Sequence, residues 1–170
     1  MERILIILII CISVLAFSGC SDNGKLSEEK GIPVSEVPDL AATISQSQGQ
    51  VSSVEFRGMT LDMNQCLYIL ARGIAMINRG ESGSIPVKKF SDATNPSGTV
   101  TSARIARKEY VDMAERTYRW MDENGRVPNH VGVFEGGADD LSPDMMLRLY
   151  VKVLTEYKKN NRLPESVNIP

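Results

Sequence analysis

Residues 118–131 read YRWMDENGRVPNHV and residues 157–167 read YKKNNRLPESV. Asn124, Arg126, Pro128 and Val131 recur as Asn160, Arg162, Pro164 and Val167, each 36 residues later. Each stretch describes a helix that closes at Asn-Gly or Asn-Asn, where a left-handed residue is tolerated. A basic residue beside that end suits the negative pole of the helix. Proline then prevents continuation and favours extended backbone. A period in the thirties predicts units that stack, because each exposes an apolar face that its neighbour must cover.

The helices leading into these ends are visible as apolar stripes. Met63, Cys66, Leu67, Leu70, Ile74 and Ile77 fall at i, i+3, i+4, i+7, i+11 and i+14, one face of an amphipathic helix. Thr60 or Asp62 can cap it and Gly80 can close it. Val54 and Phe56 lead into Arg57-Gly58, an extended piece with a turn, and a fainter copy of the segment at 131–136. A second helix is expected over about 102–122, with Tyr110, Met113, Ala114, Thr117 and Met121 facing the core. A third opens on Ser142 as N-cap, Pro143 at the first helical position and Asp144 in the first turn. Met146, Leu149, Tyr150, Val153, Leu154 and Tyr157 form its stripe. Between the first two helices, Pro86, Pro96 and Gly98 mark a connection, with Ile85-Pro86-Val87 as a short edge strand. The expected fold is mainly α: a small helical repeat domain of about three amphipathic helices with short extended segments between them. Its parts are a partial unit at 51–80, a linker at 81–101, a helix plus full unit at 102–154 and a truncated unit at 155–170.

The N-terminal region reads differently. Residues 4–17 are apolar apart from Ser13 and would span about 21 Å as a helix, short of the roughly 30 Å of a bilayer core. A signal peptide over 1–20 is expected. Ser18-Gly19-Cys20 has the small residues before a cysteine that resemble a lipobox, with Phe17 in the place usually held by leucine. Cys20 is therefore the expected lipidation site, and a signal anchor is the other reading. Either one puts the remaining chain on the extracellular side. Residues 21–50 are rich in Gly, Pro, Ser and Gln and read as a flexible polar tether. Of three cysteines, Cys11 leaves with the signal and Cys66 sits in a helical stripe as a small hydrophobe. A Cys20–Cys66 bridge is open only to a chain that escapes lipidation.

Composition narrows the function. Formal net charge is −2 with 24% charged residues and no basic stripe, so a nucleic-acid partner is not expected. His130 is the single histidine and its counterpart 36 residues on is Ser166, which marks it as a loop residue. With Cys66 in a helix face, no nucleophile–base–carboxylate motif forms, and no catalytic residue is assigned. Asp139, Asp140 and Asp144 surround a helix start, where carboxylates serve the dipole, so neither a metal nor a cofactor is expected. Binding remains. Trp120 offers an aromatic face, and Asn124, Arg126, Asn129, Asn160 and Arg162 offer amide and guanidinium donors of the kind a sugar or peptide requires.

The phrases NGRVPNHV and NNRLPESV, with the helical stretch MNQCLYILARGIAMINRG, resemble the pseudomurein-binding repeat of surface proteins from methanogenic archaea. In that family the repeat attaches proteins, wall-cutting endoisopeptidases among them, to pseudomurein, a wall polymer of amino sugars cross-linked by peptides. The first unit departs from the pattern in having Val51-Ser-Ser-Val54, and the last stops after its strand. The resemblance implies a non-catalytic protein at the cell surface, held to the membrane through its N-terminus and bound to pseudomurein or another envelope glycan or peptide. The alternative is a protein–protein interaction module of an archaeal surface lipoprotein without a glycan ligand.

Overall fold

The structure, a computed structural model, describes residues 31–47, 52–133 and 140–169. The expected signal peptide and Cys20 lie outside the described residues. Helices predominate, but the architecture is mixed: four α-helices and six short strands are described.

The expected tether over 21–50 is in part a folded element. Residues 31–47 do not form a flexible linker. They supply β1 (Ile32–Pro33), a 3₁₀ turn (Val34–Glu36) and α1 (Val37–Gln46). Val37, Leu40, Ala41 and Ile44 share one face, and all four are buried. Burying that stripe offsets the entropy of ordering a segment whose overall composition is polar.

A hairpin follows, β2 (Ser53–Phe56) against β3 (Met59–Asp62), with Val54 opposite Leu61 and Phe56 opposite Met59. Its two-residue turn is Arg57-Gly58, both at positive φ (52° and 78°), the twist that matches flanking strands. Asp62 ends β3 and caps α2 (Met63–Arg79) in a reciprocal box: its carboxylate accepts from Gln65 N–H at 2.8 Å, and Gln65 Oε1 accepts from Asp62 N–H at 3.0 Å. Gly80 closes the helix in the left-handed conformation. The expected single apolar face understates α2, because Tyr68, Ile69, Ala71 and Ala75 are buried as well. The helix packs against α1, α3 and α4, so it is covered on several sides.

After β4 (Ser84–Ile85) and a long connection comes β5 (Ala103–Ala106), then α3 (Arg107–Asn124). The helix begins later than the expected residue 102. Ala106 has no capping side chain, and the Arg107 N–H is instead satisfied by the Glu165 carbonyl at 2.8 Å. That partner is distant in sequence and leaves no local signal. The expected core face of α3 is buried in full. The last helix, α4 (Pro143–Asn160), starts at Ser142 and ends at Asn161 with φ 49°. The chain closes with β6 (Ser166–Ile169). Thr117, buried on α3, shares a 2.9 Å hydrogen bond with the Tyr150 hydroxyl of α4.

The extended segments pair reciprocally. The strand before α1 pairs with the strand after α2 (Ile32 opposite Ile85), and the strand after α1 pairs with the strand before α2. The same exchange joins α3 and α4: Ile105 lies opposite Val167, and Val131 bridges Leu141. Helix packing runs the other way, with α1 mainly on α4 and α2 mainly on α3. Strand ladders thus tie helices within each pair, and side-chain packing ties one pair to the other.

Candidate functional site

The C-terminal half of α3 and the loop behind it form a cleft of about 560 Å³. The helix supplies Arg116, Arg119, Trp120 and Glu123, and residues 128–132 form the opposite wall. The loop turns back along its own helix for local reasons. Gly125, at φ 65°, ends α3, and Val127 inserts into the core. Arg116 then holds the returning strand: its guanidinium donates to the Gly132 carbonyl at 2.8 Å, and to Asp112 at 2.8 Å.

Two loop side chains act as struts. Asn129 Oδ1 accepts from the Asn95 N–H at 2.9 Å, and its carbonyl accepts from the Ser97 N–H at 2.9 Å. His130 Nδ1 lies 2.8 Å from Ser97 Oγ, and its Nε2 lies 3.3 Å from Asp140 Oδ2. This chain of hydroxyl, imidazole and carboxylate has the order of a hydrolytic relay, but with the two ring nitrogens exchanged. Its setting is different, because the imidazole is 47% exposed and the carboxylate 46%. Water competes for both, and Ser97 does not line the cleft. The three residues join segments that meet where Thr99 N–H donates to the Asp140 carbonyl at 3.1 Å.

The structure sorts the six candidate binding residues. Trp120 and Asn129 line the cleft. Arg126 does not line it but lies over the Trp120 ring, with the guanidinium carbon 5.6 Å from the centroid. Asn124 turns inward along its own helix, donating to the Trp120 carbonyl at 2.8 Å, so its role is to finish α3. Asn160 and Arg162 stand exposed at the end of α4 and take no part in the lining. The other eight lining residues are not among the sequence-based candidates, and four of them carry charge or an imidazole: Arg116, Arg119, Glu123 and His130. The available signal was the spacing of Arg116, Trp120 and Glu123, which places them on one side of a helix.

Other reactive groups are quiet. Cys66 is fully buried, and burial, reinforced by the charge of Asp62, pushes its thiol up to about 12. It is a protonated core residue at neutral pH. Among the described residues, no group of three or more His, Cys, Asp or Glu side chains could hold a metal ion. No described helix is long and apolar enough to cross a membrane.

No curated protein matches the chain. The family model of the pseudomurein-binding repeat matches residues 101–133, which run from the start of β5 through α3 to the loop that walls the cleft.

Proposed function

We propose that this chain is a non-catalytic cell-surface protein that attaches to pseudomurein or a related envelope polymer through the cleft beside Trp120. One observation carries the reading: every residue that lines the cleft, from Arg116 to Gly132, falls inside the segment that matches the pseudomurein-binding repeat. An open groove with an indole on its rim and guanidinium and carboxylate groups around it suits a polymer that must be gripped without being cut. The Ser97–His130–Asp140 chain supports the same view, since a hydrolytic relay buries its carboxylate and keeps Nε2 for the hydroxyl, and neither holds for these residues.

The expected result is that the protein is retained on purified pseudomurein sacculi, and that Trp120→Ala reduces the retained fraction at least tenfold while the circular dichroism spectrum is unchanged. Absence of retention above that of an unrelated domain would sink the ligand assignment.

Anchoring belongs to the same proposal. Cleavage before Cys20 and lipidation of its thiol would fix one end at the membrane, with the residues before β1 as the remaining spacer. Mass spectrometry of the mature N-terminus should then show a lipid-bearing Cys20. An intact Met1 or an unmodified Cys20 would remove the lipid from the account.

A further inference from the structure

We infer that the Trp120 cleft recognises a carboxylate-bearing saccharide, with Arg119 and Arg126 taking the carboxylate and the indole taking the sugar face. The inference rests on the reading of the chain as a wall-polymer binder and specifies the chemistry of that site.

The two arginines differ from the others nearby. Arg116 is committed to Asp112 and to the Gly132 carbonyl. Arg119 is 64% exposed; the Tyr118 hydroxyl engages one edge of its guanidinium, and its ion-pair partner Glu115, at 4.0 Å, also pairs with Arg79. Arg126 lies over the indole and has no ion-pair partner among the described residues. One guanidinium with donors to spare therefore lies over the indole and a second lines the same cleft, in a chain whose formal net charge is −2. Guanidinium forks match a planar carboxylate with two parallel hydrogen bonds. Glu123, on the same helix, offers acceptors for sugar hydroxyls. A saccharide is favoured over an acidic peptide because the open groove has an indole in its lining, and among the described residues that line it none belongs to a β-strand that a peptide could extend.

An internal comparison shows that the fold does not need this chemistry. Moving 36 residues along, the packing residues Val127, Pro128 and Val131 become Leu163, Pro164 and Val167, which keep their apolar character. Arg126 persists as Arg162, but the charged and aromatic residues of the cleft itself change. Arg119 becomes Thr155, Trp120 becomes Glu156, Glu123 becomes Lys159 and His130 becomes Ser166. The same backbone plan thus stands without an indole or Arg119, and Arg162 has no tryptophan to lie over, so the grouping of both arginines with Trp120 at the end of α3 marks one saccharide site among the described residues.

The test is binding of the full chain to polygalacturonate, to the same polymer after carboxyl reduction, and to poly-L-glutamate, by affinity electrophoresis at physiological ionic strength. Polygalacturonate should bind at least tenfold more tightly than either of the others. The double substitution Arg119→Gln with Arg126→Gln should erase that preference, and Arg148→Gln, an exposed charge on α4, should leave it intact. Equal binding to the reduced polymer, equal binding to polyglutamate, or an unaltered preference in the double variant would each overturn the inference. Should the double variant lose its native spectrum, Arg119→Lys decides instead: it keeps the charge but not the fork, and an undiminished preference counts against the site. Retention on sacculi without a carboxylate preference defeats this inference alone. Carboxylate preference without retention on sacculi defeats the wall assignment alone.

Discussion

A chain that begins at residue 52 is expected to lose its cooperative unfolding transition, whereas one that begins at residue 31 keeps it. By composition the two should behave alike, since 21–50 is polar and rich in Ser, Gln, Gly and Pro. The structure separates them. Ile32, Val37, Leu40 and Ile44 lie in the core, and deleting them strips the cover from α4 and the strand partner from Ile85. At about 1.5–3 kcal/mol for each large side chain, the loss is on the order of 6–12 kcal/mol. That is comparable to the whole stability of a typical domain, roughly 5–15 kcal/mol. The Lys158–Asp39 ion pair, 2.9 Å across the α1–α4 surface, adds little beside this because it is half exposed. Thermal melts followed by circular dichroism decide the matter. A shortened chain that melts cooperatively within a few degrees of the longer one would show that α1 is dispensable.

The second large effect is expected at Gly98. Its φ is +127°, and a Cβ there would sit 2.4 Å from Ser142 N, 2.7 Å from the Asp140 carbonyl oxygen and 2.8 Å from the Leu141 carbonyl carbon. These are backbone atoms that cannot rotate aside. Gly98→Ala must push residues 95–99 away from the start of α4, losing the Thr99–Asp140 hydrogen bond and loosening the Ser142 cap. Dihedral strain of about 1–3 kcal/mol, one hydrogen bond and part of a cap together give a cost of about 3–5 kcal/mol. Gly83 provides the control. It has φ +124° with nothing within 4 Å of a Cβ, so Gly83→Ala carries the dihedral cost without the collision. Urea midpoints for the two variants should differ accordingly. If they fall within about 0.5 kcal/mol of each other, the approach at Gly98 is not what holds the loop to the helix.

How much of this was legible in the sequence depended on whether the cause was local. Asp62, Gly80 and the Ser142-Pro143-Asp144 start carry their own hydrogen bonds and dihedral preferences, and the helices they bound lie where those signals put them. The start of α3 is not legible locally, because its first N–H is satisfied by Glu165, a partner 58 residues away. The missing α1 is a different case. Val37, Leu40, Ala41 and Ile44 stand at i, i+3, i+4 and i+7, a complete helical stripe, but it is one helix long and framed by prolines and a Ser-Gln run. Average composition concealed a short periodic signal that was present. The strand exchange had no local trace, since pairing Ile105 with Val167 is a tertiary event.

The site divides in the same way. Trp120 was conspicuous as the single tryptophan, and Asn129 by its place in a polar loop. Arg119 was not, because an exposed arginine on a helix resembles ordinary solvation until the returning loop makes a wall opposite it. The recurring Asn124, Asn160, Arg126 and Arg162 drew attention through repetition. For Asn124 the repetition reports helix termination, and among the described residues only Arg126 of the four has an aromatic partner beside the cleft.

The crossed arrangement of ladders and helix contacts bears on what can be borrowed from this protein. Residues 101–133 look like a portable tag: one contiguous stretch that contains the whole lining of the groove. Yet β5 takes its partner from β6, Val131 takes its partner from Leu141, and α3 rests on α2. Grafted onto a carrier, that stretch would arrive with its backbone donors unanswered and its oily side bare. The smallest transferable unit is the interlocked whole from β1 to β6, and a single repeat is a part of a lock and not a lock.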